Sequence, residues 1–418
     1  MRQTNNDGSD CFYKFSLPED PNEMISSIEK KLLKNTVYNE EAICSDPKIP
    51  LFLKGRRFES GCPVHAALRQ YCSSFSIKHP LPSFGESQPR QIILDVYAIV
   101  YSGLTGLVHG LTKCNTGLAI TMETKAILEA FIENINRDDY IRMGIDKDTG
   151  KIQITTSEHV QAATADVQIA IKHTLETAEV ITPRLIDMPP TIVHLRNSVD
   201  ASVYSSLALS ISNDIPWLCV DTTFAQLSHH AKYPIANALQ FYMSLGVGLD
   251  IMQKHVGIYR HVTCGLPYPL TYEELLQLSR SKDQYAHYFL AKLLKMYPDA
   301  YPDTETAIRH LHKILVIVLA QAFVDGEIFR GLKVTNPSNF GYTEHVFHIC
   351  CELAIHHSDG KEAEQKLAML LCAVMENVKD IPTIRNLTRK LASVFIAGHF
   401  MSINAVNAHI CEITSTWQ

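Results

Sequence analysis

Short apolar runs that end on or just before a carboxylate constrain this chain more than any other feature. QIIL at Gln91–Leu94 runs into Asp95, LAITM at Leu118–Met122 into Glu123, and WLCV at Trp217–Val220 into Asp221. Two more β-rich runs are KIQIT at Lys151–Thr155 and a short one at Tyr233–Ala236. Runs of this length, separated by helix-period segments, predict βαβ units and an α/β fold with a mostly parallel sheet. A fourth acid, Asp200, opens a predicted helix (DASVYSSLALSI) whose Val203, Leu207 and Ile211 share a face. In an open parallel sheet the strand carboxyl ends and the following helix starts lie along one edge, where such folds place their sites. Asp95, Glu123, Asp200 and Asp221 are therefore expected to meet there.

Such a meeting has a chemical consequence. Two carboxylates ~4 Å apart repel by about 4 kcal/mol at an effective dielectric near 20. A divalent cation removes the conflict, and an all-oxygen set suits Mg²⁺ or Mn²⁺. An acidic metal site can activate water and stabilise a phosphodiester under attack, so phosphodiester hydrolysis is the expected reaction. A plainer reading stands beside it: an Asp after a strand or at a helix start is common for capping alone.

Three regions separate along the chain. Residues 1–86 mix short helical stretches, such as Met24–Leu33, with Pro, Gly and Ser, and end in the linker-like PLPSFGESQP at Pro80–Pro89. Their one basic cluster, LKGRRF at Leu53–Phe58, reads more readily as a solvated face than as a nucleic-acid contact. Residues 87–264 hold the β-rich runs and, with 13 basic and 17 acidic residues, most of the acidic surplus. Residues 265–418 read as helical almost throughout, with Asp303 as N-cap of a helix over Thr304–Val324, Asp359 and Glu362 as a capping-box-like start, and Pro382 opening a further helix.

A net charge of −6 argues against a strongly basic, non-specific nucleic-acid or membrane-surface binder. The 11 cysteines include no CxxC, the N-terminus has no apolar core, and the longest apolar run, Ile314–Val324, is too short to span a bilayer. These features predict a cytoplasmic protein without a membrane anchor. Gly103, Gly106 and Gly110 lie inside a helical apolar pattern, which favours close helix packing over a phosphate cradle, and no GxxxxGK[ST] or GxSxG occurs. His348, Cys350, Cys351, His356 and His357 lack the paired spacing of a zinc site. His229 and His230 read as a helix-surface pair.

QIILD at Gln91–Asp95, ITMETKAILEAF at Ile120–Phe131 and VDASVYSSLALSISNDIPWLCVDTTFAQLS at Val199–Ser228 resemble a PIN-like nuclease domain, the fold of many bacterial toxin ribonucleases. The resemblance covers about residues 87–264, with Asp95, Glu123, Asp200 and Asp221 on the four acidic positions of the family pattern. It implies a metal-dependent endoribonuclease using Mg²⁺ or Mn²⁺, with Asp95 and Asp221 as direct metal ligands and Glu123 and Asp200 completing the site. RNA is the implied substrate, single-stranded DNA the variant of it, and homodimers are common in the family. The alternative is a degenerate PIN-like protein, an interaction or regulatory module acting through its C-terminal helices on a protein partner. Tyr97, which stands where the family usually has a small polar residue, points that way.

Overall fold

Gln91–Ile93, Gly117–Ile120 and Glu179–Val180 form a parallel sheet with Gly117–Ile120 in the middle. The registers are Gln91 to Gly117, Ile92 to Leu118, Ile93 to Ala119, then Ala119 to Glu179 and Ile120 to Val180. Ile92, Ile93, Ala119 and Ile120 are all buried, as expected where helices cover both faces of a parallel sheet. The computed structural model describes residues 3–4, 10–11, 40–58, 61–137, 140–145, 152–283, 285–324, 337–356 and 360–415. The architecture is mostly helical around this small sheet, an α/β arrangement with helical flanks.

The sheet departs from the predicted one in three places. Ile152–Thr156 does not join it; the segment pairs antiparallel with Ile141–Ile145, a strand the apolar pattern did not mark. Two strands this close in sequence can close as a hairpin, whereas a parallel pairing needs a crossover of a dozen or more residues. The third strand of the sheet is instead Glu179–Val180, only two residues long. Trp217–Val220 is reduced to isolated parallel bridges, Ile93 to Trp217 and Trp217 to Ile235, with Glu86 bridging Ala236. Pro216 and Pro234 flank these bridges, and proline brings no N–H to a ladder.

The glycines act as the packing reading expects. A Cβ on Gly103 would lie 2.6 Å from Val167 Cα, and one on Gly110 would lie 2.1 Å from the Leu245 carbonyl oxygen. Helix Val96–Leu104 thereby sits directly against helix Ala165–Thr177.

Beyond residue 265 the chain is helical: Tyr272–Arg280, Ala286–Met296, Thr304–Val324, Pro337–His356, Ala363–Asn377, Pro382–Gly398 and Ile403–Ser415. Asp303 caps Thr304–Val324, its Oδ1 accepting the Thr306 N–H at 2.7 Å, and Pro382 opens its helix as expected. Glu362 holds the N-cap position of Ala363–Asn377; Asp359 and the Met24–Leu33 stretch lie outside the described residues. Thr304–Phe323 is long and apolar enough to cross a membrane, with a mean hydropathy of 1.2. Here Leu311, Ile314, Leu315 and Val318 are fully buried, and the helix packs against Pro337–His356 and Ala363–Asn377 as the centre of the bundle.

The basic LKGRRF cluster is the clearest correction. It lies in helix Leu51–Phe58, which packs onto the α/β unit, and Lys54 is 1% exposed. Its Nζ donates to the carbonyls of Cys44 at 2.8 Å and Ile77 at 3.3 Å. An ammonium carries three donors and is buried only where they find acceptors, so Lys54 is a tether, not part of a solvated face. The side chains of Arg56 and Arg57 lie outside the described residues.

Candidate acidic site

Three of the four acids cap helices at one edge of the sheet. Asp95, fully buried, caps Val96–Leu104: its Oδ1 accepts the Ala98 N–H at 2.8 Å and its Oδ2 accepts the Trp217 Nε1–H at 3.0 Å. Asp221, 3% exposed, caps Thr222–His230, with Oδ1 accepting from Thr223 N at 2.9 Å and Phe224 N at 3.2 Å, and Oδ2 from Phe52 N at 3.1 Å. Asp200 caps Ala201–Asn213 through the Val203 N–H at 3.1 Å. Glu123 caps nothing. It sits exposed in the first turn of Met122–Ile135, whose N-cap is Thr121.

A buried hydroxyl network fixes three of these helix starts relative to one another. Thr121 Oγ1 lies 2.9 Å from Thr124 Oγ1 and 2.7 Å from Ser205 Oγ, and Thr124 Oγ1 lies 2.8 Å from Ser202 Oγ. Ser202 Oγ in turn accepts the Val96 N–H at 3.0 Å. The peptide after Asp95, the turn before Glu123 and the helix behind Asp200 are thus one unit. Ser202→Ala orphans the buried Val96 N–H and is expected to lower stability by about 1–3 kcal/mol. A urea midpoint that falls at unchanged slope would show it.

Tyr97 lies in the first turn of helix Val96–Leu104, which Asp95 caps. Its ring is fully buried; burial first, then the charges of Asp200, Asp95 and Asp221, push its phenol well above the ordinary range. Among the described residues its hydroxyl has no hydrogen-bond partner. Burial also pushes Asp95 up to about 7, against the Ala98 and Trp217 hydrogen bonds and aided by the Asp200 charge. Asp221 is raised by burial too, against the Phe224, Phe52 and Thr223 N–H groups, which favour its charged form.

Helix Leu51–Phe58 covers this group. Phe52 is fully buried, with ring centroids 4.7 Å from Tyr97, 5.3 Å from Phe224 and 6.0 Å from Trp217. The donor chemistry suits Mg²⁺ or Mn²⁺, but the space does not. Mg²⁺ keeps several of its waters when protein carboxylates bind it. Asp95 and Asp221 have no open face, and the cavity that touches Asp221 measures ≈ 20 Å³, room for about one water. Among the described residues no group of three or more His, Cys, Asp or Glu side chains is placed to hold a metal. In this closed arrangement the residues do not fit the cation, and no catalytic step is assigned to it.

Glu123 and Asp200 share an open cavity of ≈ 560 Å³ beside the buried group, with Arg196 and Tyr204 in its wall. A larger cavity of ≈ 720 Å³, at the joint with the helical region, holds none of the four acids. Cys350 and Cys351 are buried, and burial raises both thiols, as befits core residues rather than ligands. Helix Thr222–His230 rises about 13 Å, so His229 and His230 at its end lie far from Asp221 at its start. His229 stacks on Phe84 instead.

Trp217, Phe52 and the Thr121–Thr124–Ser202–Ser205 hydroxyls were not legible as site residues. The one signal for them in the sequence is Thr121 directly before the helical run, since a hydroxyl at a helix N-cap is itself a placement signal.

Residues 93–230 match a family model described as a PIN domain associated with the TPR-GreAB-C-PIN system. No curated protein and no solved structure matches the chain. The matched segment, under half of the chain, is a PIN-like domain with a nuclease-like fold, and it contains all four acids.

Proposed function

We propose that this PIN-like domain is a phosphodiester-cleaving nuclease acting on RNA, held here in a closed form. What supports the reading is that the segment matching the PIN family carries Asp95, Asp200 and Asp221 at the starts of three helices, two of which are joined by the Ser202 hydroxyl accepting the Val96 N–H. Asp95, Asp200 and Asp221 would be the oxygen ligands for Mg²⁺ or Mn²⁺ in an open form, with Glu123 joining from the adjoining cavity. A cation there would supply charge neutralisation and an activated water. RNA as substrate and homodimerisation belong to the same reading and rest on the family resemblance, a cytoplasmic location rests on the composition, and a protein partner on the C-terminal helices goes chiefly with the second reading below.

A second reading, a catalytically silent interaction protein, is favoured by the Tyr97 and Phe52 rings filling the acidic group. Widening the group from within separates the two. Tyr97→Ser is expected to cleave single-stranded RNA in Mn²⁺ at least about 100-fold faster than Tyr97→Ser combined with Asp221→Asn. Equal background rates in both would favour the silent protein, and equal cleavage of single-stranded DNA would widen the substrate class.

A further inference from the structure

We propose that the ≈ 720 Å³ cavity beside the 265–271 turn is a binding site for a small, uncharged, flat aromatic molecule that donates an N–H to the Tyr297 hydroxyl oxygen. The cavity holds none of the four acids, so the site stands or falls independently of the nuclease reading.

The 265–271 turn and three helices, Tyr272–Arg280, Ala286–Met296 and Thr304–Val324, wall this cavity. Its size is that of small-molecule sites and far exceeds the water-sized voids that close packing leaves. Bonds within the protein hold the walls in place. Tyr101 Oη donates to the Pro267 carbonyl at 2.6 Å, and the Tyr268 ring lies so close to Gly257 that a Cβ there would come within 2.3 Å of it. Tyr272 Oη donates to the His310 carbonyl at 2.9 Å, and the His310 ring centroid lies 4.4 Å from that of Tyr272 and 5.7 Å from that of Tyr301. Aromatic faces on fixed supports suit a flat aromatic guest.

Two polar features decide what the guest must carry. Lys78, in the wall, directs its Nζ to the carbonyls of Ser73, Ser76 and Cys264, the last two at 3.0 and 2.6 Å. An ammonium has three N–H bonds, so none is left for an anion. Among the described residues no carboxylate lines the cavity to hold a cation, and the guest is therefore uncharged. His261 Nδ1 lies 2.6 Å from the Leu266 carbonyl oxygen, which can only accept, so Nδ1 carries the proton. Burial holds this imidazole below its ordinary range, which leaves it neutral at neutral pH and its Nε2 an acceptor. The Tyr297 hydroxyl, 2.6 Å away, donates its one proton to that nitrogen. Its oxygen keeps lone pairs and no free proton, so it can meet only a donor. Tyr297 is 44% exposed and lines the cavity, within reach of a guest.

Fluorescence titration of the full chain with 7-amino-4-methylcoumarin, a neutral aromatic with an N–H donor, tests the site. Its 7-dimethylamino analogue has the same rings and no N–H, and its 3-acetate derivative supplies an anion. The expected result is saturable binding of the aminocoumarin with a Kd below about 1 mM. Tyr297→Phe should weaken it by about fivefold, the share of one hydrogen bond, and leave the dimethylamino analogue unaffected. The anion should bind more weakly than its neutral parent. Leu275→Trp, which fills the cavity from helix Tyr272–Arg280, should abolish binding of all three. Near-ultraviolet circular dichroism checks that the variants stay folded; Tyr297→Phe changes an exposed side chain and decides the matter alone should Leu275→Trp not fold. No saturable binding to wild type, aminocoumarin binding unchanged in Tyr297→Phe, or binding that survives in a folded Leu275→Trp would each overturn the site. An anion bound as tightly as its parent would overturn the uncharged guest.

Discussion

Asp95→Asn is expected to flatten much of the pH dependence of this protein's stability between pH 4 and pH 8. In the folded chain Asp95 titrates at about 7, against 3.8 for an ordinary aspartate, because burial penalises its charged form. The folded state therefore holds a proton that the unfolded chain has released. That contribution is fully present below pH 4 and is lost as the pH rises through 7. A difference of about three units corresponds to roughly 4 kcal/mol. Asn keeps an oxygen for the Ala98 N–H and cannot ionise, although its amide faces the Trp217 N–H and forfeits that bond. Urea unfolding at pH 5 and pH 8 would read the effect. Wild type should lose several kcal/mol between the two and the variant clearly less, Asp221 supplying a remainder of the same sign. An unchanged pH profile would mean that Asp95 is solvated.

Lys254→Met is expected to be severely destabilising, by about 3–5 kcal/mol. Lys254 and Glu274 are 4% and 8% exposed in their side chains and meet at 2.7 Å, joining helix Ile251–Cys264 to helix Tyr272–Arg280. Burial alone would raise the Glu274 carboxyl. Hydrogen bonds from Lys254 and Thr271 outweigh it and hold the group below its ordinary range, so its stabilising share appears above pH 4.5 and fades in acid. Removing Lys254 leaves a buried carboxylate held by Thr271 alone. Adding Glu274→Gln neutralises it and keeps the capping box, and the double variant should recover most of the loss. A single variant costing under about 1 kcal/mol would show that water reaches the pair.

The sheet edge was legible because strand ends and helix caps leave a local mark. An apolar run stopping at Asp95 or Asp221 says where a strand ends and a helix begins, and both carboxylates cap as that pattern implies. The close packing at Gly103 and Gly110 was legible for the same reason. Long-range pairing was not. Nothing local in KIQIT distinguishes a sheet strand from the hairpin strand Ile152–Thr156, because the choice depends on Ile141–Ile145 and on the short connection. The burial of Lys54 was hidden in the same way, since its partners Cys44 and Ile77 are 10 and 23 residues away. Tyr97 could be noted as out of pattern, but the ring that pins it comes from a region that looked like a solvated basic face.

Crystals of wild type and of Tyr97→Ser soaked in Mn²⁺, compared by anomalous difference density, put the central question most directly. Density flanked by Asp95, Asp200 and Asp221 in the variant, with none in wild type, is the expected outcome for a nuclease centre closed by its own packing. A variant whose carboxylates keep to their helix caps and gather no manganese would contradict it.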